Sequence, residues 1–107
     1  MVPLQEEITE LLRRSEDGAD APSLDAIEST LTDGYAEALA LEAERTRIER
    51  RLDEVVKDAG EVSAHSVATE LARLSKRLET TDEELAKLRS LLHNLQVRRR
   101  LALSSRS

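Results

Sequence analysis

Apolar residues recur at alternating spacings of three and four over most of the chain, and that spacing predicts helices. The run Leu24, Ile27, Leu31, Gly34, Ala38, Leu41, Arg45, Ile48, Leu52, Val55, Ala59 keeps one register without a slip. A second run repeats it: Ala64, Val67, Leu71, Leu74, Leu78, Thr81, Leu85, Leu88, Leu92, Leu95, Arg99, Ala102. Positions a and d of a heptad fall on one stripe of a helix, so each run describes a long helix with a single seam. Ser23 and Ser63 stand where N-caps belong, and Gly60 is placed to end the first helix. Helices of roughly 35 to 40 residues are about 52 to 60 Å long. Between them lies only the turn Gly60–Ser63, too short for parallel neighbours. The fold expected is all-α: two long helices in an antiparallel coiled-coil hairpin plus a short N-terminal helix.

The short N-terminal helix is read over residues 3–14, where Leu4, Ile8, Leu11 and Leu12 share a face and Pro3 suits the first position. Gly18 and Pro22 then mark a polar linker. The expected organisation is residues 1–22 as helix and flexible linker, 23–103 as hairpin, and 104–107 as disordered tail. Three places test the register. Gly34 in mid-helix costs about 1 kcal/mol relative to Ala, so either the helix kinks there or another backbone approaches closely, and close approach is expected. Thr81-Asp82-Glu83-Glu84 has the spacing of a capping box, yet the heptads run through it, and a continuous helix is expected. Arg45 is a polar residue on the seam, able to fix register or to carry its charge out to the surface.

The stripe widens at one end. If residue i of the first helix faces roughly residue 122 − i of the second, then Leu31, Gly34, Tyr35, Leu39, Leu88, Leu91, Leu92 and Leu95 gather at the open end of the hairpin. A face wider than a two-stranded seam requires a third surface to cover it. Small helical hairpins are marginal alone. The expectation is therefore a homodimer in a four-helix arrangement, with these eight residues as interface and the N-terminal helix contributing or flexible. A different protein partner is the other way to cover the same face.

Charge supports the pairing of the helices. From Ala19 to Glu44 there are seven acids and no base, whereas from Leu85 to Ser107 there are six bases and no acid, within a net charge of −6. An antiparallel hairpin lays one stretch against the other, and opposite charges flanking a seam set orientation. Arg98, Arg99 and Arg100, with Arg106, form the one basic cluster. Its functional reading is contact with nucleic-acid phosphates. No aromatic is available for base stacking beyond Tyr35, and the chain is acidic. The arginines are therefore read as facing the acids of the first helix, with nucleic-acid binding kept as the alternative.

Composition narrows the function classes. With 36% charged residues and a single aromatic, the chain has the make-up of long helices. There is no cysteine, hence no disulfide, thiolate metal site or cysteine nucleophile. His65 and His93 lie roughly 42 Å apart along one helix and cannot share a metal within one chain. The three glycines stand apart, so no phosphate-binding loop is formed. No catalytic residue, cofactor, metal or small-molecule substrate is expected, and the chain is not expected to be an enzyme. The longest nearly apolar run, Tyr35 to Ala43, contains Glu37 and Glu42, so no membrane span is expected. Glu6, Glu7 and Glu10 occupy the place of a signal sequence's basic start, which reads as cytoplasmic. Thirteen arginines against three lysines suggest a GC-rich bacterial genome.

The stretch Leu31-Thr-Asp-Gly-Tyr-Ala-Glu-Ala-Leu-Ala-Leu-Glu-Ala-Glu-Arg45, running on to Ile48-Glu-Arg-Arg-Leu52, resembles a group of small uncharacterised bacterial helical proteins. They share a Leu-Thr-Asp-Gly-Tyr-Ala segment followed by Leu-Glu-x-Glu-Arg. The resemblance implies a helical protein and brings no activity with it. The function read from the chain is a non-enzymatic coiled-coil interaction or scaffold protein that self-associates or binds a partner at the open end. A small regulatory subunit of a larger complex is a further alternative.

Overall fold

The structure, a computed structural model, describes residues 3–17 and 22–104. Over these residues the chain is all-helical, in the order α1 (Leu4–Asp17), α2 (Leu24–Lys57) and α3 (Ala64–Ser104). α1 runs three residues past its expected end at residue 14, so residues 15–17 are helix and not linker; residues 18–21 of the expected linker and 105–107 of the tail, with Arg106, lie outside the described residues. α1 has Glu6 and Glu7 in its first turn and Arg14 in its last, both favourable to the helix dipole.

The two long helices begin as their serines dictate. The Ser23 Oγ accepts a hydrogen bond from the Ala26 N–H at 3.1 Å, and the Ser63 Oγ one from the Ser66 N–H at 3.2 Å. Each satisfies an amide that the first helical turn leaves without a partner. α2 stops sooner than the heptads suggest. The Ala59 N–H donates to the Val56 carbonyl at 3.3 Å and the Glu61 N–H to that of Asp58 at 3.0 Å, so residues 58–62 turn away. Ala59 and Ala64 are exposed. An alanine buries too little surface to hold the last turn of a seam in place.

The chain divides into two compact units, Met1–Ala38 with Ala86–Ser107, and Leu39–Leu85. In the second, Ile48, Val55 and Leu74 form a buried core, with Leu52, Val67, Leu71 and Leu78 packed against it. Glu44 of α2 pairs with Arg77 of α3, and Arg51 with Glu70. Arg45 lies half-exposed on the edge of this core, its Nε 2.8 Å from an Asp82 carboxylate oxygen. It keeps its seam position by carrying the charge outward. Thr81 is buried between Leu78 and Leu85, and α3 runs unbroken past it.

In the first unit α1 is packed in. Ile8 is fully buried and Leu11 nearly so, alongside Ile27 and Leu31 of α2 and Leu88, Leu92 and Leu95 of α3. The periodicity of α1 thus marks a face that covers the helix pair, as amphipathic helices do.

Candidate functional site

Four of the eight residues read as interface, Leu31, Leu88, Leu92 and Leu95, are buried within the chain itself. Gly34 is buried too, in an unbroken helix, and its lack of a side chain has a specific use. A Cβ built there would overlap Leu92 Cδ2 and stand 3.3 Å from Leu92 Cγ. The close approach at Gly34 is made by a leucine side chain seated on the bare backbone of α2, where another backbone was expected. Leu91 is half-buried, whereas Tyr35 and Leu39 are exposed, at 42% and 67%.

The wide stripe is covered on one flank and open on the other. Leu91, Asn94 and Arg98 succeed one another at i, i+3 and i+7 along one side of α3. A cleft on that side is lined by Asn94, Val97 and Arg98 together with Leu12 of α1. α1 therefore lies along the Leu91 flank. Gln96 and Arg100 occupy the opposite side of α3, and there they line an open groove of about 390 Å³ with Arg99 and with Glu28, Leu31, Thr32 and Tyr35 of α2. Tyr35 and Leu91, grouped by the heptad pattern, thus belong to two different flanks.

The same geometry distributes the arginine cluster. Arg98 faces the α1 cleft, and Arg99 and Arg100 the groove. The Arg99 Nε donates to the Glu28 Oε1 at 3.2 Å, so the acidic and basic stretches do meet here. Arg100 is exposed and makes no ion pair among the described residues. The groove consequently has an acid on its α2 wall, bases on its α3 wall, a leucine floor and one aromatic ring. No family model matches the chain, and no curated protein or solved structure is a match for it.

Elsewhere the electrostatics are those of solvated helix faces. Hydrogen bonds from the arginines three residues on, Arg13, Arg47 and Arg73, hold the Glu10, Glu44 and Glu70 carboxyls below the ordinary glutamate value of 4.5. The Glu70 bond in turn raises Arg73. Glu10 is exposed and Glu44 and Glu70 are half-buried at the surface, where such pairs contribute little each. Among the described residues, no cluster of three or more His, Asp or Glu side chains could hold a metal ion, and no helix is long and apolar enough to cross a membrane.

Proposed function

We propose that this chain is a non-enzymatic helical interaction protein, whose α2 and α3 form an antiparallel coiled-coil hairpin and whose α1 closes one flank of it. The observation that carries the reading is the open groove opposite α1, with the chain's sole aromatic residue at its edge. Tyrosine joins a large apolar ring to a polar tip and is enriched at protein interfaces for that reason. A half-exposed tyrosine beside a leucine floor, framed by charged side chains, has the make-up of an interface with a central anchor and a polar rim. The groove then serves self-association or the docking of another protein, and the helices act as the scaffold that presents it.

Tyr35→Glu tests this. The side chain is outside the core, so the variant should keep its helical circular dichroism. A charge at the anchor should abolish assembly, read as absolute mass in solution. Equal mass for variant and parent, in a parent that does assemble, would remove Tyr35 from the interface.

A further inference from the structure

We infer that the occupant of the Tyr35 groove is a second copy of this chain, packed about a two-fold axis that runs along the groove. The inference rests on the self-association reading and specifies its geometry. A two-fold interface requires a surface complementary to itself. This groove has that property, because its two walls carry opposite charge: Glu28 on the α2 wall, Arg99 and Arg100 on the α3 wall. Rotation about an axis along the groove lays the α2 wall of one copy on the α3 wall of the other. Acid then falls on base twice, at symmetry-related places. A two-fold across the groove would instead lay acid on acid.

Arg100 is the residue this arrangement explains. Arg99 is engaged by Glu28 within its own chain, whereas Arg100 lines the groove without an acid of its own among the described residues. In the dimer it reaches Glu28 of the partner subunit, which retains an oxygen for it beside the one bonded to Arg99. Tyr35 lies about 10 Å further along the same side of α2 than Glu28 and comes under the partner's α3. The sense of the helices is also favourable, since α2 of each copy would lie antiparallel to α3 of the other, as in a four-helix bundle.

The test is a charge swap divided between two chains. Glu28→Lys and Arg100→Glu are prepared as separate proteins, and their masses are measured alone and after mixing, with circular dichroism as the control for folding. Alone, each should lose dimer on the order of tenfold in affinity, because both contacts become like-charged. Mixed, they should recover the dimer as a one-to-one heterodimer. The introduced lysine then meets the introduced glutamate at one contact, and the native Arg100 meets the native Glu28 at the other. Only pairing between chains gives recovery on mixing. A parent that dimerises while both variants dimerise equally well would overturn this geometry and leave self-association standing. A parent that stays monomeric would overturn both, as would capture of the groove by a different protein in a monomeric parent. Variants that weaken but fail to recover on mixing would also overturn it.

Discussion

Gly34 and Leu92 show how one position can set the fit of two helices. In an isolated helix, Gly34→Ala would be worth about 1 kcal/mol in favour of folding. Here the added methyl falls on Leu92, which is 4% exposed and has little room to turn. Overpacking of that kind costs about 1–3 kcal/mol. The substitution should therefore destabilise the parent by about 1 kcal/mol, the balance of the two effects. In a Leu92→Ala background the obstacle is gone, and the same substitution should stabilise. Denaturant unfolding of the four proteins checks this, and the same sign in both backgrounds would contradict it. The sequence signals a close approach at Gly34 but suggests another backbone rather than the Leu92 side chain; the neighbour's identity depends on the stagger of two helices, which spacing alone does not set to within a residue.

At the scale of the elements, the exposed ion pairs and α1 make separate contributions. Glu10, Glu44 and Glu70 have folded values below 4.5, so the unfolded chain binds protons more readily. Their stabilisation is complete above that value and is lost as the pH falls through the lowered ones. The thermal midpoint should fall on acidification below about pH 4.5, and high salt should reduce that fall by screening the pairs. For α1, Ile8 is the anchor, and Ile8→Ala should cost about 2–5 kcal/mol in docking. That exceeds what a short helix can sustain on its own. Hydrogen exchange should then show the amides of α1 losing protection while those of the unit Leu39–Leu85 keep theirs. Equal loss in both would mean that α1 and that unit unfold together. The existence of α1 was legible from Leu4, Ile8, Leu11 and Leu12. Which flank it takes was not, because an amphipathic stripe shows that a helix covers something without saying what. The end of α2 was misplaced for a related reason: Ala59 keeps the heptad spacing but contributes almost no buried area.

For the whole molecule, the heptad register was the most legible feature. Seam positions from Ile27 to Val55 and from Val67 to Ala102 are buried or half-buried except Arg45, which carries its charge outward. The candidate groove was legible only in part. Leu31, Leu88, Leu92 and Leu95 are buried inside the chain, and the surface left over is the groove with Tyr35, Gln96, Arg99 and Arg100. Apolar pattern overstates an interface wherever the chain covers its own stripe, and it misses polar walls such as Arg100, whose role depends on what stands opposite. The central claim is that this remaining groove joins two copies. Absolute mass by light scattering after size exclusion, at two protein concentrations, tests it most directly. A dimer gives twice the chain mass of 12.0 kDa, with any dissociation confined to the lower concentration. A mass of 12.0 kDa at both concentrations would contradict it.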